Sequence, residues 1–447
     1  MTAAHFQGNN KRRDGSSRKH LVLGTFIEGI ASGHWRDENH PADGNSNIDS
    51  FIEFAQIAEE GTFDFGFIAD TAVITEESAW QFLSRVEPVT ALAAIAAHTT
   101  SLGLVGTIST TYSQPYDVAR QIASLDLISR GRVGWNVVTS YIDAHAQNYG
   151  AERLPDKAER YERATEFVEV VQGLWRSWEP DAFPRDRASG LYADWSKAHP
   201  LNHNGRYYSV RGPLNVERSR QGEPVIFQAG ASEGGLRLAG RYADAVFPAG
   251  LTDSLSDAQS TYEAFKQAAV DAGRDPSEVV VIPGLSPVVG ETEEEAWAHY
   301  EERARFVGVE HALGIVSRFF NYFDFSTINI DEPFPDGFIK HSVGFTPTAE
   351  KIIERAKSKG QSIREAALEF ARPETSFVGS AEAVADKIEA WFHEGALDGL
   401  LLTADKENLR RFTRLVVPRL RDKGLFRREY GPNSTLRQNL GLTSPKF

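Results

Sequence analysis

Ser232 lies within Gly230-Ala231-Ser232-Glu233-Gly234-Gly235, where the apolar run Pro224 to Gln228 gives way to a helical pattern. At such a junction unpaired backbone N–H groups, the helix dipole and a hydroxyl converge on an anion such as a phosphate. The same letters spell G-x-S-x-G, the nucleophile elbow of serine hydrolases. A serine N-cap before an ordinary helix is a third reading. A hydrolase needs Asp and His after the serine at strand ends, and a glycine motif for an oxyanion hole near an early strand. His299, His311, His341 and His393 follow no convincing strand, and no HGGG-like segment occurs, so the context favours phosphate.

Other polar residues recur where apolar runs end. Arg132-Val133-Gly134-Trp135-Asn136-Val137-Val138-Thr139-Ser140 closes on uncharged hydrogen-bonding groups, and Phe65 to Asp70 and Leu102 to Thr111 repeat the layout. Polar groups delivered repeatedly to strand C-termini describe a site assembled from several βα-loops. Asp70 reads either as a turn cap or as a member of that site; His34 and Trp35, beyond the first strand, are further candidates for its wall. His199 and His203 have helical metal-pair spacing, but Pro200 intervenes and no carboxylate pattern supports them, so no metal site is expected. No Walker-type loop or G-x-G-x-x-G occurs, which speaks against nucleoside triphosphates and dinucleotides.

The elements that must position these groups alternate. Strands are expected at Leu21 to Ile27, Phe63 to Asp70, Leu102 to Ser109, Arg132 to Thr139, Pro224 to Gln228, Asp244 to Pro248, Val279 to Val289 and Asp398 to Thr403. Helices are expected at Ser50 to Glu60, capped by Asp49 or Ser50, and at Pro88 to Thr100, Pro115 to Ser129, Lys157 to Trp178, Glu233 to Tyr242, Ser254 to Ala272, Ala381 to His393 and Leu409 to Asp422. Continuous apolar strands alternating with helices point to a closed parallel (β/α)8 TIM barrel over residues 20–423. Two stretches are too long for ordinary connections, about 179–223 and 306–373, and read as rim insertions serving as lids or oligomer contacts, or equally as peripheral subdomains without a role in the chemistry. Residues 1–19 read as a flexible leader and 424–447 as a C-terminal arm suited to wrapping a neighbouring subunit.

Composition sets the outer limits. A chain of 447 residues that is 41% hydrophobic has ample material for a large core, and a net charge of −14 with no dense Lys/Arg block argues against nucleic acid. Zero cysteines exclude disulfides, thiolate metal sites and cysteine nucleophiles. No apolar run approaches membrane-spanning length and no signal peptide is evident at the start, so a cytoplasmic protein without membrane contact is expected.

Phe67-Ile68-Ala69-Asp70, Thr107-Ile108-Ser109-Thr110-Thr111-Tyr112, the run Gly131 to Ser140, Glu159-Arg160-Tyr161, Gln228-Ala229-Gly230-Ala231-Ser232, Thr375-Ser376-Phe377-Val378-Gly379-Ser380 and Arg414-Leu415-Val416-Val417-Pro418 occur in an order and spacing that resemble the bacterial-luciferase-like flavin monooxygenases. The chain is most similar to the branch with nitrilotriacetate, dibenzothiophene-sulfone and long-chain-alkane monooxygenases. The resemblance spans roughly Leu21 to Leu442. It implies a luciferase-like TIM barrel, homodimers or homotetramers, and reduced FMN supplied by a separate NAD(P)H:flavin reductase. O2 would then oxidise a small-molecule substrate through a flavin C4a-(hydro)peroxide. Carried across, it assigns Asp70, Thr107 and Asn136 to the isoalloxazine ring and ribityl chain, and Ser140, Tyr161, Ala231 and Ser232 to the ribityl and phosphate groups. Alkane-oxidising relatives have a histidine after the Thr-Ser of the fourth-strand motif where this chain has Tyr141. A phenol cannot be a cation near neutral pH, so Tyr141 is assigned as a hydrogen-bond donor to the peroxide, with His34 as the substitute histidine. Trp80, Phe82, Tyr112, Tyr141 and Phe247 suggest a flat, aromatic-lined cavity and an aromatic or heterocyclic substrate. A flavin or deazaflavin hydride transferase and a serine hydrolase using Ser232 are the alternatives.

Overall fold

A computed structural model describes residues 20–28, 34–38, 41–74, 85–248, 254–343, 346–372 and 377–445. The expected leader therefore lies outside the described residues, as do Trp80, Phe82 and the Thr375-Ser376 pair.

The barrel strands are β1 (Val22–Phe26), β2 (Phe65–Ile68), β3 (Gly103–Ser109), β4 (Val133–Val138), β5 (Val225–Ala229), β6 (Ala245–Phe247), β7 (Val280–Val281 and Gly284–Leu285) and β8 (Gly399–Leu402). All pair in parallel with their neighbours, and β8 pairs with β1 through Val22↔Gly399. The two parts of β7 close the ring. Val280 pairs with Ala245 of β6, whereas Gly284 pairs with Leu401 of β8. Between them Ile282 N donates to Val246 O at 2.9 Å, and Pro283 O accepts from Leu401 N at 2.9 Å. Pro283 has no N–H to give, so the strand changes partner at that residue. The expected single strand Val279 to Val289 is thus broken. Beyond Pro287 its last part, Val288–Gly290, leaves the barrel and pairs in parallel with Val378–Ser380.

Inside the barrel, Val22, Phe65, Phe67, Val105, Val225, Phe227, Val280, Ile282 and Leu401 form one apolar cluster, and Leu436, Leu440 and Leu442 of the C-terminal tail join it from below. This tail packs under the barrel's own floor. Three aspartates at that floor each take a backbone N–H from the neighbouring strand: Asp64 from Leu23 (2.8 Å), Asp244 from Ile226 (2.9 Å) and Asp398 from Val281 (2.9 Å). Each is matched by a cation, Arg427, Arg437 and Lys266 respectively. Polar investment at the N-terminal face of a (β/α)8 barrel serves stability and leaves the other rim for chemistry.

Outside the ring lie α1 (Ile48–Glu60), α2 (Pro88–His98), α3 (Pro115–Ile128), α4 (Asp143–Gln147), α5 (Lys157–Trp175), α6 (Glu233–Tyr242), α7 (Leu255–Asp271), α8 (Glu293–Ala304), α9 (Val309–Ser317), α10 (Thr346–Lys359), α11 (Ile363–Ala371), α12 (Ala381–His393) and α13 (Lys406–Asp422). Asn47, rather than Asp49 or Ser50, caps α1, its side chain accepting from Asp49 N. No described helix is long and apolar enough to cross a membrane. The second insertion is helical and carries its own core, with Ala312, Val316, Phe320, Phe325, Phe338, Ile352 and Ile363 buried together. In the first, a short hairpin (His203–Asn204 with Ser209–Val210) is tied to α5 by Glu166, which accepts from Tyr207 N and Tyr208 N and holds His203 at 3.0 Å. His199 instead meets Glu179 at 2.8 Å, so the two histidines serve separate carboxylates.

Fully buried Asp126, near the end of α3, accepts from Val133 N (2.9 Å) and Gln221 Nε2 (3.1 Å), and also from the Ser219 hydroxyl. Burial pushes its carboxyl up to about 6. The folded state therefore holds this proton more tightly than the unfolded one, and the group's contribution to stability falls as pH rises from about 4 to 6. An Asn at this position has no proton to lose. Asp126→Asn should gain on the wild type by about 3 kcal/mol between pH 4 and 7, read as the difference between the two proteins' urea midpoints. Parallel pH profiles would contradict the assignment.

Candidate active site

The C-terminal rim is built from the ends of β2, β3, β4 and β5. Along β3 and β4 the side chains alternate, so Leu104, Val133, Trp135 and Val137 pack outward while Thr107 and Asn136 point into the barrel mouth. Thr107 Oγ1 donates to Ile68 O at 2.9 Å and accepts from Asn136 Nδ2 at 3.0 Å. That arrangement leaves Asn136 Oδ1 buried without a partner, and the residue is only 3% exposed. An orphaned acceptor at this depth is costly unless a ligand donor meets it. Asp70 lies half-buried at the end of β2; burial pushes its carboxyl above the ordinary carboxylate range, with Arg85 pulling the other way.

Ser140 follows β4 in a left-handed conformation, φ 52°. Its hydroxyl meets Ser109 Oγ at 2.7 Å and its carbonyl accepts from Arg160 Nη1. Arg160 and Tyr161 are adjacent on α5 and look to different parts of the rim. Arg160 braces the β4 end, and the Tyr161 hydroxyl accepts from Ser232 Oγ at 3.3 Å. Arg160 is buried and its Nε has no partner. Glu159-Arg160-Tyr161 stood out in the sequence, yet the arginine was passed over in favour of the tyrosine.

The cradle at the start of α6 has Ser232 as N-cap with ordinary extended backbone (φ −70°, ψ 162°), its Oγ accepting from Gly235 N at 3.4 Å. A Cβ on Gly234 would sit 2.7 Å from the Tyr161 ring, and one on Gly235 only 2.6 Å from Gly230 O. Both glycines let the loop fold tightly over its own N–H groups, with Ala231 exposed at the lip. A nucleophile elbow needs a sharp, strained serine backed by a base. Ser232 has neither, because its backbone is relaxed and its hydroxyl is engaged with a phenol and an amide.

Tyr112 stacks on Tyr149 (4.4 Å between centroids, 4° between planes), and its hydroxyl is buried without a partner. Beside them His145 of α4 is buried, which holds its imidazole below the usual range and therefore neutral at pH 7. This histidine belongs to no motif, and α4 itself was not expected. Phe247 packs on Phe26 (5.6 Å) and Phe67 (6.3 Å) at the top of the barrel core. Of the aromatic set expected to line a flat cavity, Tyr112 is thus taken by stacking and Phe247 by the core. Tyr141 receives a hydrogen bond from Arg318 of the second insertion. His34 begins a short 3-10 turn, His34–Arg36, beyond β1, and its side chain lies outside the described residues.

The rim thus offers an anion cradle at α6, an unmet acceptor in the mouth and polar strand ends between them. A family model described as luciferase-like monooxygenase matches residues 30–399. The chain is 41% identical to N-acetyl-S-(2-succino)cysteine monooxygenase of Bacillus subtilis (strain 168), over 96% of this chain and 98% of that protein. It is 39% identical to nitrilotriacetate monooxygenase component A of Aminobacter aminovorans, over 96% and 98%. The crystal structure of DmoA from Hyphomicrobium sulfonivorans superposes with a TM-score of 0.84 at 33% identity, covering 94% of this chain and 92% of that one. A closed (β/α)8 ring whose polar groups gather at one rim, matched over nearly its whole length by these enzymes, belongs to the luciferase-like flavin monooxygenases.

Proposed function

We propose that this chain is the oxygenase component of a two-component system, taking reduced FMN from a separate NAD(P)H-dependent reductase and using O2 to oxidise a small organic molecule. The single observation that carries the FMN reading is the cradle. Ser232, Tyr161 and the Gly234-Gly235 pair gather at a helix N-terminus, a place suited to a phosphate, while Asn136 Oδ1, at the barrel mouth, is an acceptor suited to a ring N–H. Asp70 and Thr107 would flank the ring, with Ser140 beside the ribityl chain and Ala231 at the phosphate. Reduced flavin, when bound, would supply the oxygen-activating chemistry. The protein's part is to hold the ring, exclude water and present the substrate. The name of the Aminobacter aminovorans relative, a component A, supports a partner that supplies the flavin. The names of that relative and of the Bacillus subtilis one are those of carboxylated compounds, which weighs against the aromatic reading of the pocket.

Stopped-flow absorbance after mixing protein and reduced FMN with oxygenated buffer tests the reading. A flavin–oxygen adduct outliving that of free flavin is expected; reduced FMN that fails to bind sinks the proposal. Ser232→Ala removes one of several phosphate contacts and should weaken FMN binding about tenfold without abolishing turnover. A hydrolase using Ser232 would lose all activity.

A further inference from the structure

Gln228 is the last residue but one of β5, opposite Val137 of β4 and Val246 of β6. Val137 packs outward, and residues paired across parallel strands share a face, so the Gln228 side chain also leaves the barrel on its outer side. It runs beneath the loop that opens α6 and is 2% exposed. Its Nε2 donates to Ala229 O at 2.5 Å. The same nitrogen would lie 3.7 Å from a Cβ on Gly230 and 3.4 Å from one on Gly235, so the amide backs the cradle at both of its ends. Its Oε1 is buried without a partner. Packing alone does not select such a residue, because an apolar side chain of the same length would bury no unmet acceptor.

The hydrogen bond to Ala229 O fixes more than one carbonyl. In a planar trans peptide the C=O and the N–H point in opposite directions, so holding Ala229 O against Gln228 turns the Gly230 N–H away from the amide. Gly230 has φ 110°, a conformation that only glycine adopts cheaply. Glycine accepts a negative φ as readily, so the Ala229–Gly230 peptide could turn over at little cost in backbone energy. The Gln228 amide is the group that chooses one orientation. We propose that Gln228 is a positioning residue for the flavin phosphate, holding the Ala229–Gly230 peptide so that the Gly230 N–H joins Ser232 and the first N–H groups of α6 in the cradle. The inference rests on the FMN reading and deepens it, since it says what keeps that loop set for a phosphate.

Anaerobic calorimetric titration of the full chain with reduced FMN, and with reduced riboflavin, which lacks the phosphate, tests it. Wild type should prefer FMN. Gln228→Met, close in length but without a donor, should weaken FMN about tenfold while leaving riboflavin affinity and the urea midpoint where they were. A merely structural role would lower the midpoint and weaken both flavins together. Gly230→Ala favours the turned-over peptide and should give the same phosphate-selective loss. The double variant should lose little more than either single one, because the peptide has one orientation to lose. Should Gln228→Met not fold, Gln228→Leu, equally without a donor, decides on the same terms. The proposal is overturned if the Gln228 variant binds FMN like wild type, if FMN and riboflavin weaken equally, or if the two losses add. A wild type that binds neither flavin, or both equally well, removes the phosphate from the cradle itself, an outcome visible before any variant is made.

Discussion

Arg437→Ala is expected to cost about 3–5 kcal/mol of stability, the range for removing one partner of a buried ion pair. Arg437 is 8% exposed, and its two terminal nitrogens grip Asp244 at 2.9 and 2.8 Å. Asp244 also accepts from Ile226 N at the barrel floor, so alanine leaves a mostly buried carboxylate without its countercharge. The loss should appear in the urea midpoint, whereas FMN affinity should not move, since the site proposed for it is at the opposite rim. Removing both partners together, as Arg437→Met with Asp244→Asn, should restore much of the loss because the uncompensated charge goes with its partner. A single variant within about 1 kcal/mol of wild type would show that the tail contributes only its leucines.

Gly235→Ala should leave the fold intact and weaken FMN binding on the order of a hundredfold, equivalent to losing two or more charge-assisted contacts. The new methyl would lie 2.6 Å from Gly230 O and 3.2 Å from Gly230 C, which are backbone atoms with no rotamer to change. The loop has to move, and the N–H groups proposed to meet the phosphate move with it. Alanine is the better helix former by about 1 kcal/mol, so a loss of binding cannot be put down to a weakened helix. Gly234→Ala meets only the Tyr161 ring, at 2.7 Å, and a ring can turn, so its effect should be smaller. Flavin fluorescence titration ranks the two; equal affinity in Gly235→Ala and wild type would remove the cradle from the phosphate site.

How much of this was legible in the sequence depends on the range of the forces involved. Strands buried on both faces read as unbroken apolar runs, and α6 and α12 begin where expected, directly after their N-caps Ser232 and Ser380. Val279 to Val289 was misread as one strand because hydrophobicity was weighed above Pro283 and Pro287, which end the pairing. The second insertion read as a Phe and Tyr cluster with a polar helical section, but its helices were not bounded one by one because Phe320, Phe325 and Phe338 gather through turns and leave no helical period. At the rim, Ser232, Tyr161, Thr107 and Asn136 were named through motifs, and the structure brings them together in pairs, Ser232 with Tyr161 and Thr107 with Asn136. Arg318 carried no signal at all. It belongs to no motif, and only the folded insertion sets its guanidinium beside Tyr141.

The short parallel pair formed by Val288–Gly290 and Val378–Ser380 gives this enzyme a modular economy. The chain leaves the barrel and returns to it through two neighbouring strands held in register, Val288↔Val378, Val289↔Gly379 and Gly290↔Ser380. The length of chain between them can change without shifting the register of any barrel strand, since the ends are fixed side by side and loop closure depends only weakly on length. A segment with its own core, attached where two short strands pair, can be exchanged as a cassette while the barrel stays as it is.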